Sequence, residues 1–339
     1  MPYSLQPQSN DFQILVGQPV QDNSLSRPCI LVLTRSADRE IDELSLELAA
    51  LNIPLVRLDS DLCLGQEVCW DVSKNTLTTK QGIFTPTLCW FRYFTLDSIQ
   101  ESSEDFIDKY VRTQWKAWTV AFIESFKCRK INSIIKHVEI DRISQLLHAK
   151  EKGLLIPQTV VTTRLDLAVL ALENPDNIVV KSIGEHYLEL EPGKLWGLFP
   201  IKVETKNLQS ENEPAPIIAQ EYIAGFREVK IFVIGLKFFA FSINKNSIDA
   251  EWSDFASLKA EPISMVEELV TPLLSLMNHW SLDIACFDFI ETDSGYIFLE
   301  VNTMCDWLWI ENITKCSSIS VAILDLLVEL FSKSMAKLN

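Results

Sequence analysis

Between Ile284 and Asn302 the chain reads Ile-Ala-Cys-Phe-Asp-Phe-Ile-Glu-Thr, then Asp-Ser, then Gly-Tyr-Ile-Phe-Leu-Glu-Val-Asn. Two apolar runs joined across Thr292-Asp293-Ser294-Gly295 predict a β-hairpin with strands over Ile284–Ile290 and Tyr296–Val301. Side chains two apart on a strand share a face, so Glu300 and Asn302 point the same way, and Asp288 can meet them from the neighbouring strand. Two carboxylates and an amide oxygen form an oxygen-rich site of the kind that holds Mg²⁺, a hard cation that keeps waters and phosphates as its other ligands. The alternative is a solvated polar face. The apolar surroundings Tyr296-Ile297-Phe298-Leu299 favour the cation, because buried carboxylates are costly without one.

Ahead of the hairpin, Cys29 to Thr34 forms a short apolar run. Ile41, Leu44, Leu48 and Leu51 follow at helical spacing, and Pro54 to Leu58 starts a second strand. Strand, helix and strand with short links predict a βαβ unit. The opening has no GxGxxG, so a dinucleotide fingerprint is absent. A strand is expected over Thr87–Tyr93 after Pro86 and a helix within 104–128. Another helix is expected over Arg142–Lys152, with Gly153 as its C-cap. Further strands are expected at Thr159–Thr162, Asn177–Lys181, Ile217–Tyr222, Val229–Ile234 and Lys237–Ile243. Further helices are expected at Leu165–Leu172, Met265–Trp280 and Ser320–Lys333, with a polar connection through Glu204–Pro214.

A chain of 339 residues with 47% hydrophobic and 22% charged residues is a folded protein of two or three subdomains. Its 30 Lys+Arg against 46 Asp+Glu give a net charge of −16, which argues against a general nucleic-acid binder. Residues 1–27 are polar, broken by Pro and unlike a secretory signal. No apolar stretch reaches the roughly 18–20 residues that span a bilayer, so no membrane partner is expected and the mean hydropathy of +0.12 reports a buried core. The eight cysteines form no CxxC pair, which fits reduced thiols in a cytoplasmic protein. His137, His148, His186 and His279 show no HxxH or HExxH, and no GxSxG or Cys–His signature marks a nucleophile.

Four smaller features each admit two readings. Lys181, closing an apolar strand, either reaches phosphate as a point charge or marks the strand's exit to solvent. Gln220-Glu221-Tyr222-Ile223 offers backbone groups to a planar base, as any strand end does. Arg92, in Trp90-Phe91-Arg92-Tyr93, either meets a peptide carboxylate or stacks on its aromatic neighbours. Trp307 and Trp309, if extended, share a face beside the metal strand, where they pack the core or wall the acceptor site.

The order of these pieces is more specific than any one of them. Leu31-Val32-Leu33-Thr34 with Arg57-Leu58-Asp59 comes first. Gln145-Leu146, Ala149, Gly153-Leu154 and Ile156-Pro157-Gln158-Thr159 follow, then Val179-Val180-Lys181 and Gln220 to Ile223. Glu228-Val229-Lys230 with Gly235 precedes Phe298-Leu-Glu-Val-Asn302 and Asp306-Trp-Leu-Trp-Ile-Glu311. Over about residues 28–335 the chain resembles the ATP-grasp superfamily and, within it, the peptide-macrocyclising ligases of the microviridin or graspetide type, whose run reads E-x-N…Q-W-L-W-I-E.

The resemblance implies an α/β architecture: a tail (1–27), an N-terminal parallel-sheet domain (28–135), and central (136–223) and C-terminal (224–335) α+β lobes that enclose the nucleotide. Lys181 would hold the α- and β-phosphates of ATP. Gln220, Glu221, Tyr222 and Ile223 would line the adenine slot, and Glu228 would accept from the ribose hydroxyls. Asp288, Glu300 and Asn302 would hold one or two Mg²⁺. Arg142 stands where the family places a lysine, Lys230 where it places an arginine, and Glu251-Trp252-Ser253 where it places Asp-Trp-Arg. Arg142, Lys181 and Lys230 would share the charge of the transferring phosphoryl group. The implied reaction activates Asp or Glu side chains of a ribosomal precursor peptide as acyl-phosphates and joins them to Ser or Thr hydroxyls or Lys amines. Recognition of the precursor's leader and core, and a homodimer, are implied as well. A ligase joining an amino acid to a peptide or small acid, and a non-catalytic nucleotide-binding partner of an active ligase, are the alternatives.

Overall fold

The computed structural model describes residues 26–65, 67–94, 106–132, 141–172, 176–184, 187–191, 194–197, 200–208, 213–225, 227–244 and 259–336. The opening unit is β1 (Arg27–Thr34), α1 (Arg39–Ala50) and β2 (Leu55–Asp59), with β1 and β2 parallel. Asp38 caps α1 by accepting from the Ile41 N–H, and Ile41, Leu44 and Leu48 turn inward.

The sheet then departs from an all-parallel one. β3 (Val68–Asp71) and β4 (Thr76–Thr79) add antiparallel strands beside β5 (Gly82–Phe91), so the order is β2-β1-β5-β4-β3. Four-residue strands as polar as Thr-Leu-Thr-Thr carry too little alternation to be seen in sequence. β5 runs through Pro86 instead of starting after it. Proline has no N–H to donate, and there the ladder to β1 shifts: Cys29 faces Pro86, Ile30 faces Leu88, and Thr87 is left over as a bulge. After α2 (Phe106–Ser125), β6 (Arg129–Ile131) pairs in parallel with β5.

Asp141 caps α3 (Arg142–Glu151), and Gly153, at φ 87°, follows its end. β7 (Thr159–Thr162), α4 (Leu165–Ala171) and β8 (Asn177–Lys181) come next. β9 (Tyr187–Glu191) and β10 (Lys194–Gly197) pair with each other, and β11 (Ile201–Glu204) and β12 (Ile217–Glu221) follow. The resulting antiparallel sheet has the order β11-β8-β12-β7. β11 ends at Glu204, where the connection read from the sequence begins.

The last sheet, β15-β14-β13-β16-β17, is antiparallel throughout. It is made of β13 (Arg227–Ile234), β14 (Lys237–Asn244), β15 (Lys259–Ile263), β16 (Ile284–Thr292) and β17 (Gly295–Asn302), with α5 (Glu267–Trp280) between β15 and β16. α6 (Leu308–Thr314) and α7 (Ser318–Ala336) close the described chain.

Both faces of this sheet are buried. Val229, Ile231, Phe287 and Phe298 pack with Leu146 and Ala149 of α3 and Leu273 and Leu276 of α5. On the other face Phe232, Phe241 and Cys286 share one core with Ile30, Val32 and Trp90 of the first sheet and with Trp307, Ile319, Ile323 and Leu327. The four-stranded sheet keeps a smaller core of its own, Ala168, Leu172, Ile178, Val180 and Ala219. α3 thus packs on the C-terminal sheet, although the chain order places it with the central lobe. No helix among the described residues is long and apolar enough to cross a membrane.

Candidate active site

Three adjacent strands set a charged row on one face. Lys230 of β13 lies opposite Asp288 of β16, which lies opposite Glu300 of β17, and directly opposed residues project to the same side. A bulge makes this possible. Phe289 faces Phe298, yet Asp288 faces Glu300, so Leu299 is the extra residue. Without that shift Glu300 would emerge on the opposite face from Asp288. Asn302 follows on the same face, opposite Cys286.

Lys230 Nζ lies 2.6 Å from Asp288 Oδ2. Burial works against the charge of Lys230, but the attraction of Asp288, its hydrogen bond, and the neighbouring Cys286 and Glu300 together outweigh it, and its pKa rises above the ordinary lysine value. Burial pushes the Asp288 pKa up; Lys230 opposes this, Glu300 adds to it, and the net shift is upward.

Arg142 and Lys181 approach the row from other elements. Arg142, the first residue of α3, places Nε 3.4 Å from Glu300 Oε2, and its NH1 donates to the Ser182 carbonyl at 2.9 Å. Gln145, one turn on, accepts from the Val301 N–H at 2.9 Å and so ties α3 to β17. The Lys181 ammonium makes no ion pair or hydrogen bond with another described residue. Its pKa is lowered, mainly by burial and further by Arg142, against the pull of Glu300, Asp288 and Glu228. Three cations (Arg142, Lys181, Lys230) therefore face three carboxylates (Glu228, Asp288, Glu300).

Asn302 has a second task that its place in the hairpin does not announce. Its Oδ1 accepts from the N–H groups of Met304 and Cys305, both at 3.0 Å. An amide oxygen has two lone pairs, so in this state both are committed to the turn that follows β17.

The strand end proposed for adenine is partly used up internally. The Gln220 amide donates to Thr159 Oγ1 at 3.0 Å. Glu221 Oε1 accepts from the Gln158 N–H at 2.8 Å. The Tyr222 N–H donates to the Asn177 carbonyl at 3.3 Å, and Lys202 Nζ sits 4.4 Å from the Tyr222 ring centre. The side chains of Gln220 and Glu221 thus brace β12 against β7, and backbone groups around Ile223 are what the edge offers to a base. Glu228 stands at the start of β13, opposite Ile290.

One expectation is corrected, and of the two readings of Arg92 the stacked one holds. Trp307 and Trp309 are not extended: Trp307 precedes α6 and Trp309 lies within it. A seven-residue amphipathic stretch reads equally as strand or helix in sequence. Trp307 is fully buried and its indole N–H donates to Ser320 Oγ at 2.8 Å. Arg92 is also fully buried, so it meets no peptide. Its guanidinium carbon sits 4.9 Å from the Trp90 ring centre and 5.1 Å from that of Trp307, and Nε donates to Asp38 Oδ2 at 2.9 Å. Glu251-Trp252-Ser253, His137 and His186 lie outside the described residues.

A mixed sheet, a four-stranded lobe ending β8 on a lysine, and a five-stranded lobe carrying the carboxylate row together make the ATP-grasp fold. The chain is 22% identical to the macrocyclase MdnC of Microcystis aeruginosa MRC, solved bound with the precursor peptide MdnA. That likeness covers 88% of this chain and 99% of that one at a TM-score of 0.74. A RiPP-associated ATP-grasp ligase of Chryseobacterium gregarium, solved with ADP and a leader and core peptide, is 21% identical over 89% of this chain and 97% of that one, at 0.73. The ATP-grasp ligase PsnB, complexed with precursor peptide PsnA2 and AMPPNP, is 16% identical over 91% and 99%, at 0.70. No protein-family model and no curated protein sequence matches the chain.

Proposed function

We propose that this chain is an ATP-dependent ligase that closes rings in a ribosomal precursor peptide. The observation that carries the reading is the row Lys230–Asp288–Glu300 on adjacent strands, with Arg142 at its edge and Lys181 within electrostatic reach of it. The fold it shares with ligases solved on nucleotides and precursor peptides supports it.

Asp288 and Glu300 suit Mg²⁺, being two carboxylate oxygens brought side by side by the β17 bulge. Asn302 joins them where one of its two turn bonds is given up. Bound there, the ion would neutralise charge on the β- and γ-phosphates. Lys181, Arg142 and Lys230 would bind the phosphates and stabilise the charge of the transferring phosphoryl group, and Glu228 would hold the ribose. A peptide carboxylate oxygen attacks the γ-phosphorus and ADP leaves. A hydroxyl or amine of the same peptide then attacks the acyl carbon, phosphate leaves, and the nucleophile's proton departs with it or to solvent. The chain works in the cytoplasm as a homodimer in this reading.

The test is phosphate release from ATP with Mg²⁺, with and without a candidate precursor, read beside the peptide's mass. Peptide-stimulated release with successive losses of about 18 Da, one water per ring closed through an activated acyl group, is expected. Nucleotide binding with no turnover and no mass change, for every precursor encoded nearby, overturns the reading.

A further inference from the structure

The turn after β17 is held from outside its own lobe. Two of its carbonyls are taken by residues at the carboxyl ends of strands in the first sheet. Arg92, just after β5, donates from NH1 to the Met304 carbonyl at 2.8 Å. Asn132, just after β6, donates from Nδ2 to the Thr303 carbonyl at 3.0 Å and to the Ile284 carbonyl at 2.7 Å, while its Oδ1 accepts from the Asp283 and Ile284 N–H groups. The N–H groups of the same turn, on Met304 and Cys305, go to Asn302 Oδ1. Cys305, at φ 57°, sits in the left-handed region, which a cysteine occupies only when its surroundings hold it there.

Arg92 is itself fixed on every side. Asp38 takes its Nε, the Trp90 and Trp307 rings stack on each other at 5° with its guanidinium carbon about equally far from both, and Tyr93, stacked under Arg35, donates its hydroxyl to Asp306. The remaining nitrogen, NH2, is buried with no hydrogen-bond partner and lies 3.8 Å from Asp306 Oδ1. A fully buried guanidinium costs much desolvation unless it is paired and bonded. Here Asp38 pairs the charge, and the other bonded nitrogen goes to one backbone carbonyl, two residues beyond Asn302 and four beyond Glu300. Arg is suited to this because its planar fork reaches Asp38 and Met304 at once while stacking on indoles, which an ammonium cannot do.

We infer that Arg92 is a positioning residue for the metal-binding end of β17. The N-terminal sheet, through Arg92 with Asn132 beside it, sets the geometry of Asn302 and so of the oxygen ligands of the lobe behind it. This rests on the ligase reading for its metal readout. Arg92 touches neither nucleotide nor peptide, so Arg92→Lys has a specific signature. Lysine keeps the charge beside Asp38 and loses the bond to Met304.

The test uses calorimetry of ADP binding on the full chain, with and without Mg²⁺. In Arg92→Lys the ADP affinity without metal stays within about two-fold of the unsubstituted protein, while the Mg²⁺ needed for half-saturation rises about ten-fold. In an Asn302→Ala background, where the turn has already lost its acceptor, Arg92→Lys adds nothing further. An unchanged Mg²⁺ requirement, or a full additive effect on top of Asn302→Ala, overturns the proposal. Hydrogen exchange on the unsubstituted protein decides the case where Arg92→Lys does not fold. The Met304 and Cys305 amides are then expected to be protected without any ligand, and exchange at the solvent rate overturns it. A wild-type protein that binds no Mg–ADP overturns the ligase reading, and the exchange measurement still decides whether the turn is held.

Discussion

At the scale of single residues, the site sets function against stability. The ammonium of Lys181 is half-buried with no described partner, and its pKa is below that of an ordinary lysine, chiefly through its lost solvation. A base whose folded pKa is depressed costs stability at every pH below that value, and the cost disappears as pH rises past the unfolded value. Lys181→Met is therefore expected to keep or raise the neutral-pH melting temperature. It is expected to weaken ADP binding by about 10- to 100-fold, the range of a hydrogen bond to a charged group at about 1.5–3 kcal/mol. Parallel melting curves and calorimetry test the two halves. A variant that loses stability would mean that Lys181 is structural.

Asp288 shifts the opposite way. Burial raises its pKa above the ordinary 3.8, and Glu300 adds to the rise against Lys230. A protonated carboxyl cannot ligate a hard cation, so the Mg²⁺ requirement for ADP binding climbs on acidification. It begins to climb at a higher pH than a solvated aspartate would allow. Asp288→Asn is expected to need more metal at every pH and to show no such slope. Equal slopes in the two proteins would place the titrating group elsewhere.

At the scale of elements, the stretch most telling of family is largely architecture. Glu311 ends the Trp-Leu-Trp-Ile-Glu run, and its Oε1 accepts from the Ile319 and Ser320 N–H groups at 2.8 and 2.9 Å while Oε2 takes the Ser320 hydroxyl. It caps the start of α7, the helix that packs the second core. Glu311→Ala is expected to cost about 1–3 kcal/mol, the range for an exposed cap up to a buried unsatisfied donor. Its urea midpoint falls while the ADP affinity of the folded protein stays within about two-fold. A loss of affinity at unchanged stability would place Glu311 in the site instead.

The same stretch shows what sequence carries and what it does not. Glu300 and Asn302 share a face because alternation on a strand is fixed by covalent geometry, so that much is legible. That Asp288 joins them depends on register, and the register turns on the Leu299 bulge, which has no local signal in Phe-Leu-Glu-Val-Asn. The helix at Leu308–Thr314 was hidden by its shortness, and β3 and β4 by theirs. The buried state of Arg92 depends on Trp307, more than two hundred residues away in the chain, which no window of sequence can see. Asn132 offered one weak sign: an asparagine directly after an apolar strand, where its φ of 50° is tolerated better than by most residues.

At the scale of the whole molecule, the cores are unequally shared. The first and last sheets are joined by one core that runs from Ile30 and Trp90 through Phe232 to Ile323 and Leu327, and Asn132 and Arg129 add polar ties to Asp283 at the head of β16. Among the described residues the four-stranded sheet shares no core cluster with them and closes over five buried residues of its own. Stability follows buried apolar contact, so this lobe belongs to the low-stability end of the molecule. Lys181 and Ile223 lie in it or at its edge, whereas Asp288 and Glu300 lie in the sheet behind. In the proposed reading, a nucleotide bound between them would bridge the lobe that opens most easily to the body that opens least. Amide exchange in β7, β8 and β12 is therefore expected to be faster than in β13 and β16 without ligand. With Mg–ADP at a hundred times its Kd, exchange in those three strands slows by up to about 100-fold, the 2.7 kcal/mol that mass action supplies, while β13 and β16 change little. Slowing spread evenly over all three sheets would show instead that the molecule opens as one unit, and that the nucleotide does not draw a loose lobe onto a fixed one.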